Sequence, residues 1–158
     1  MKKLLLLRHA KSSWQYHVDD YDRPLSEKGI KDINEVSLKN INFFKRFQII
    51  LTSPAIRALH TSIIFSRNIF VKYEKLRVVD ELYSFNYKNI IDYVYKLDNA
   101  LSNVVLVGHN PAFSNAAEYF SEKCPPELKT SDWIMIEFKQ NNWSKVSKGI
   151  YTYESKKS

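Results

Sequence analysis

The sequence predicts an α/β chain, a three-layer α/β/α sandwich around a mostly parallel but mixed sheet. Three observations predict it. Short apolar runs recur at Leu4-Leu5-Leu6-Leu7, Ile49-Ile50-Leu51 and Val104-Val105-Leu106-Val107, the texture of strands buried on both faces. Segments with helical spacing alternate with them, as in Ile56, Leu59, Ile63 and Ile64. Beyond residue 121 the pattern changes to two strand-like stretches, Ile134-Met135-Ile136-Glu137-Phe138 and Trp143 to Tyr153, joined by a turn at Gln140-Asn141-Asn142. That last portion makes the sheet mixed.

In chain order, residues 3–7 read as the first strand and 8–25 as a long polar loop. A helix is expected over 26–45, with Ser26 as its N-cap. A strand follows over about 47–52. The next helix begins near Pro54, since proline suits the first helical position. A short strand near 75–79 precedes Asp80-Glu81-Leu82-Tyr83. Residues 87–98 repeat apolar side chains at Ile90, Ile91, Val94, Tyr95 and Leu97 and read as helix. Strand 103–107 leads into a helix over about 111–121, which Asn110 can cap. The 158 residues suit a single domain, 1–158, with 154–158 a frayed tail.

Hydrophobic residues make up 44% and charged residues 26%, a balance typical of globular chains. No apolar stretch approaches the roughly 20 residues that span a bilayer. The start Met1-Lys2-Lys3-Leu4 mimics a signal peptide, but its apolar run stops at Arg8, short of the roughly 7–15 residues of such a segment. A cytoplasmic protein without a membrane partner is therefore expected. One cysteine, Cys124, fits a reducing compartment and excludes an internal disulfide or a cysteine-rich metal site. The net charge of +7 has two readings: a solvated surface carrying Lys72, Lys75, Lys88 and Lys96, or a face for an anionic partner. Basic stretches interleaved with aromatics are lacking, so a nucleic-acid partner is not expected. Glycine occurs only at Gly29, Gly108 and Gly149, which excludes a Gly-rich phosphate loop.

The chemistry lies where the buried runs end. They terminate in Arg8-His9, in Thr52-Ser53-Pro54 with Arg57 close behind, and in Gly108-His109. Open α/β sheets place their ligand crevice at the carboxyl ends of strands. One histidine there is commonly structural. Two histidines and two arginines together suit a phosphoryl group. A neutral imidazole attacks phosphorus without prior deprotonation, and arginine donates paired hydrogen bonds to phosphate oxygens. Such a pocket supplies positioning and charge without a metal. Carboxylates do not cluster around the histidines, so neither metal nor cofactor is expected. His17 in the polar loop and His60 on the second helix read as incidental.

Four blocks then resemble one family. Leu7-Arg8-His9-Ala10-Lys11-Ser12 is similar to the Arg-His-Gly signature of the histidine phosphatase superfamily, also called phosphoglycerate-mutase-like, with alanine in place of the usual glycine. Asp22-Arg23-Pro24-Leu25-Ser26-Glu27-Lys28-Gly29 resembles its Pro-Leu-Thr/Ser-x-x-Gly segment. Ser53-Pro54-Ala55-Ile56-Arg57-Ala58 and Val107-Gly108-His109-Asn110-Pro111 resemble its arginine and second-histidine motifs. They occur in family order over about residues 3–138. The short chain and the Arg-His-Ala-Lys-Ser start resemble the SixA-type phosphohistidine phosphatases.

The resemblance implies His9 as nucleophile, and Arg8, Arg57 and a protonated His109 as the phosphate pocket. Glu81 stands where many relatives carry a proton donor; as plain sequence, Asp80 and Glu81 read equally as a solvated turn. Lys11 and Ser12 either contact substrate from the loop or are solvated. Thr130 and Ser131 fall in the family's late polar motif lining the pocket, and read by themselves as a turn. Only some two dozen residues separate Arg57 from Glu81, and Glu81 from His109, leaving little room for a lid. An open pocket favours a phosphoryl group carried by a protein, hence a phosphohistidine phosphatase. The alternatives are a phosphatase for a small ester or anhydride, and a non-catalytic phosphate or phosphoprotein binder.

Overall fold

The computed structural model describes residues 1–156. Its strands are β1 (Lys2–Arg8), β2 (Ile49–Thr52), β3 (Leu76–Val78), β4 (Asn103–Gly108), β5 (Trp133–Phe138) and β6 (Ile150–Glu154). They form one sheet in the order β3-β2-β4-β1-β5-β6. The pairs β3–β2, β2–β4 and β4–β1 are parallel, whereas β1–β5 and β5–β6 are antiparallel. The mixed sheet expected from the sequence is thus present, with its antiparallel portion on one side.

Alternation explains the layers. In β1 all four leucines are fully buried. Leu4 and Leu6 face one core, with Val104, Leu106 and the helices α4 (Tyr87–Tyr95) and α5 (Ala112–Phe120). Leu5 and Leu7 face the other, with Val105, Val107 and the helices α1 (Glu27–Lys39), α2 (Ile41–Phe44) and α3 (Ile56–Asn68). Successive strand residues point to opposite faces, so a strand covered by helices on both sides must be apolar throughout. At roughly 1.5–3 kcal/mol per buried leucine side chain, this strand is a main contributor to stability.

Several expected boundaries move. The helix expected over 26–45 is two helices, because the chain leaves helical geometry at Asn40, whose φ and ψ are −113° and 22°. Ser26 caps α1 as expected, its side chain accepting from Gly29 N–H. The stretch 143–153 is not one strand. Trp143–Lys145 form a 3₁₀ turn, with the Trp143 ring fully buried, and β6 begins only at Ile150. Nor is the tail frayed through its described part: Glu154 ends β6, and Lys156 N donates to Asp132 Oδ1 at 3.0 Å. Lys157 and Ser158 lie outside the described residues. Asn110 behaves as a cap, its Oδ1 accepting from Ser114 N at 3.1 Å. No helix among the described residues is long and apolar enough to cross a membrane.

Register sets the site. Leu7 pairs with Val107, Arg8 with Gly108, and Thr52 with Val107, so the carboxyl ends of β1, β4 and β2 lie side by side. The residues that follow each strand, His9, His109 and Ser53, must then emerge together.

Candidate active site

His9 occupies the first position after β1 and is 6% exposed. Its Nδ1 lies 2.7 Å from the Ala10 carbonyl oxygen, which can only accept. Nδ1 therefore carries the proton, and Nε2 keeps its lone pair. Arg57 Nε donates to that Nε2 at 3.3 Å. Burial pushes the His9 pKa down to about 3, and the nearby His109, Arg57 and Arg8 work in the same direction against the Ala10 hydrogen bond. The free protein thus holds a neutral imidazole with an available Nε2. Ala10 fits where glycine is usual because its methyl is buried in the α1–α3 core, while its N–H donates to Thr61 Oγ1 at 3.0 Å.

Arg57 lies in the first turn of α3, 2% exposed. Ser53, at the end of β2, contacts His109 Nε2 through its hydroxyl at 2.8 Å. The Ser53-to-Arg57 motif thus has two tasks: its serine orients one histidine, and its arginine faces the other. The His9 and His109 rings are 5.2 Å apart. His109 itself is 1% exposed and covered by Tyr83 and Phe85, whose rings lie 5.4 and 5.5 Å away. Burial first, and then the charge of Arg57, push its pKa down to about 3. The protonated His109 implied by the resemblance belongs to a phosphate-bound pocket; with no anion bound, burial favours the neutral ring. The cause is desolvation, which no motif displays. Its buried Nδ1 has no hydrogen-bond partner among the described residues.

Arg8 donates from Nη1 to the Leu128 carbonyl at 3.0 Å, and its buried Nε has no acceptor among the described residues. An unsatisfied buried guanidinium donor suits an incoming anion. Arg8, His9 and Arg57 open on a crevice of about 590 Å³ at the strand ends, with His109 buried behind the lining. Arg8, Arg23, Arg57, Lys11, Lys28, Lys129 and Lys156 line it, against one lining carboxylate among the described residues, Asp20.

The other expected residues divide. Lys11 and Ser12 line the crevice, and the Ser12 hydroxyl accepts from Arg23 Nη1. Thr130 also lines it, with Oγ1 accepting from Lys156 Nζ at 2.8 Å. Ser131 does not. Its side chain is buried without a hydrogen-bond partner among the described residues, and its backbone N–H sits 3.2 Å from the carbonyls of both Arg8 and His9, so it fixes the turn at His9 instead. Its φ of 64° marks that tight geometry. Glu81 is exposed in the 3₁₀ turn Asp80–Leu82 and lines a separate depression with Tyr93 and Lys96. Tyr83, which follows the turn, lines that depression too and its ring reaches to 5.4 Å from His109, whereas Glu81 is not in the crevice lining. His17 is exposed, and His60 lies on α3 away from the crevice lining.

Asp20 was missed by sequence reasoning. It sits in a 3₁₀ turn, Asp20–Asp22, inside the loop read as merely polar. The Ser12–Leu25 bridge closes the loop at its base, and the returning arm carries Asp20 to Arg57, 37 positions away in sequence. Asp-x-x-Arg-Pro was a visible signal, but nothing local shows that the loop folds back.

The sequence profile of the histidine phosphatase superfamily (branch 1) matches residues 4–90. The chain belongs to the histidine phosphatase superfamily. A chloroplastic protein of Arabidopsis thaliana, itself uncharacterized, is 28% identical over 92% of this chain and 70% of its own length. Among solved structures, one from Agrobacterium tumefaciens named for the phosphohistidine phosphatase SixA superposes with a TM-score of 0.77 at 24% identity, covering 87% of this chain and 92% of that one. A protein histidine phosphatase SixA complexed with tungstate gives 0.78 at 18% identity, covering 97% and 94%. A mycobacterial glucosyl-3-phosphoglycerate phosphatase gives 0.65 at 13% identity, covering 98% and 97%. The sheet and its helical layers are thus those of this superfamily.

Proposed function

We propose that this histidine phosphatase superfamily protein is a metal-independent phosphatase that acts through a phosphohistidine on His9 and removes phosphoryl groups from histidine on other proteins. One observation carries the proposal: the neutral His9 ring, its Nδ1–H held by the Ala10 carbonyl and its Nε2 lone pair directed at the Arg57 side of the crevice. That lone pair attacks phosphorus, forming the Nε2–P bond. The bond to the leaving imidazole nitrogen breaks with its electron pair, and that nitrogen takes a proton from solvent. Water then attacks the phosphoenzyme, the Nε2–P pair returns to His9, and inorganic phosphate leaves with the remaining proton passing to solvent. Arg8 and Arg57 balance the oxygens' charge. His109 gains its proton only once a phosphoryl dianion offsets the arginines.

The mouth of the crevice supports a protein-borne substrate. Trp14 is 79% exposed and Phe85 48%, and both line the opening beside Lys129 and Lys156. The residues between β3 and β4 are taken up by a 3₁₀ turn and α4, which packs in the core with α5, rather than by a covering lid. The structural neighbours named for phosphohistidine phosphatase agree with this reading. A cytoplasmic setting suits it, with Cys124 free and exposed.

The test is turnover of a histidine-phosphorylated carrier protein and of an aryl phosphate, in chelator, by wild type and His9→Ala. Wild type should hydrolyse the phosphoprotein with the higher kcat/KM and trap acid-labile, base-stable phosphate on the enzyme. His9→Ala should do neither. Higher kcat/KM for small esters would favour a small-molecule phosphatase; equal rates in the variant would remove His9 from the chemistry.

A further inference from the structure

In the free protein the Arg57 guanidinium is already committed. Nε faces His9, Nη1 donates to the Asp20 carbonyl oxygen at 2.6 Å, and Nη2 donates to Asp20 Oδ2 at 2.9 Å. The same Oδ2 accepts from the Tyr83 hydroxyl at 2.7 Å. Oδ1 accepts from Arg23 Nε and Nη2 at 3.4 and 3.2 Å. Two arginines and a tyrosine thus grip a small oxyanion beside the nucleophile. A phosphoryl group within reach of His9 Nε2 asks for the same donors.

We propose that Asp20 is an internal stand-in for the substrate's phosphoryl group, seated on Arg57 in the free enzyme and displaced when that group binds. It is a specificity-determining residue. Every anion must exchange with a tethered carboxylate, so its observed affinity is reduced by the energy of the Asp20 contacts. Free phosphate and sulfate, which bring nothing else, are penalised in full. A phosphoryl group on a larger partner offsets the exchange with contacts at the crevice rim. The fold meets the mechanical requirements. The Asp20 side chain is 45% exposed whereas that of Arg57 is 2%, so the carboxylate can leave and the arginine cannot. Trp14, Tyr16 and Val18 on the same loop are exposed, so its outer part is not packed into the core. Arg23 is itself buried and has an anchor independent of Asp20 in the Ser12 hydroxyl. It therefore stays behind as a further phosphate donor once Asp20 has gone. Desolvation raises the Asp20 pKa, but the hydrogen bonds from Tyr83 and Arg57 and the Arg57 charge outweigh it and hold the value near 2. The stand-in is therefore charged throughout the physiological range.

The inference rests on the phosphate-seat reading above, but its test reads binding rather than turnover. Inorganic phosphate is titrated calorimetrically into wild type, Asp20→Asn and Asp20→Ala. Both variants should bind phosphate about tenfold more tightly, the scale of one partly exposed carboxylate networked with a buried arginine. A residue that merely positioned Arg57 would give the opposite sign, so unchanged or weaker binding overturns the proposal. Hydrogen exchange on the wild type alone provides a second readout. The amides of Asp22 and Arg23, bonded to the Asp19 and Asp20 carbonyls, should lose protection when phosphate is added, and unchanged protection also overturns the idea. Tighter phosphate binding in variants whose parent hydrolyses no phosphoryl substrate would instead sink the proposed function and leave this inference standing.

Discussion

Arg57 Nε lies 3.3 Å from His9 Nε2, so in the proposed mechanism the lone pair that attacks is held by the same cation that would face the incoming phosphoryl group. This contact fixes the direction of attack before substrate arrives. It must break as the Nε2–P bond forms, which frees one donor for a developing charge. Lysine cannot reproduce this, because a single ammonium cannot serve both His9 and an oxygen pair. Arg57→Lys should lower kcat about 10²–10³-fold, the usual cost of losing one charge-stabilising donor. Steady-state kinetics on an aryl phosphate measure it. A change confined to KM would reduce Arg57 to a binding group.

The two buried histidines make acid stability informative. Both fall from an ordinary 6.5 to about 3, chiefly because burial disfavours the imidazolium. The unfolded chain therefore binds more protons than the folded one between about pH 6.5 and 3, and stability drops as pH falls through that window. Above pH 6.5 the two histidines contribute no pH dependence. The melting temperature should decline below pH 6.5 more steeply in wild type than in a His9→Asn/His109→Asn double variant. Parallel declines would mean that other groups control the acid limb. In nitrogen-15 spectra neither ring should protonate between pH 8 and 4.5. Added phosphate should raise His109, because a bound dianion outweighs the arginines.

What the sequence displayed and what it hid separate along physical lines. Leu4 to Leu7 and Val104 to Val107 read directly as doubly covered strands, since two-sided burial leaves no polar alternation. His9, Arg57 and His109 were legible because each directly follows or closely trails such a strand, and parallel register does the rest. Asp20 was illegible because its role depends on a loop closing over 37 sequence positions. Glu81 was misplaced for the converse reason. Both Glu81 and Tyr83 line the neighbouring depression, and Tyr83 alone of the two reaches a histidine, its ring lying 5.4 Å from that of His109. The charge state of His109 depends on burial, which a motif does not encode.

Gly29 is required by a close approach. A Cβ there would overlap the Lys11 carbonyl oxygen, a backbone atom that no rotamer change can move. That segment also carries the Ala10 carbonyl holding His9 Nδ1. In an open helix, glycine to alanine would stabilise by about 1 kcal/mol. Here the overlap should reverse the sign, with Gly29→Ala destabilising by about 1–3 kcal/mol. Catalysis should fall with it as the His9 turn shifts. Denaturant melts and kcat from one preparation test both. A stabilised, fully active variant would show that α1 can withdraw without disturbing the catalytic loop.

Glu81 provides the sharpest contrast between family position and geometry. Its carboxylate lines a depression with Ser84, Asn89 and Tyr93, while Asp20 is the one carboxylate among the described residues that lines the crevice holding His9. A proton donor must come within about 3 Å of the leaving atom, directly or through one water. An exposed side chain in a separate depression does not meet that demand. Glu81→Gln should therefore leave kcat for both an aryl phosphate and a phosphohistidine protein within about twofold of wild type. Tyr83→Phe should change anion affinity, because it removes a hydrogen bond from Asp20 Oδ2. A large, selective loss on the aryl ester in Glu81→Gln would mean that the Asp80–Leu82 turn swings inward during turnover, and would return the proton-donor role to Glu81.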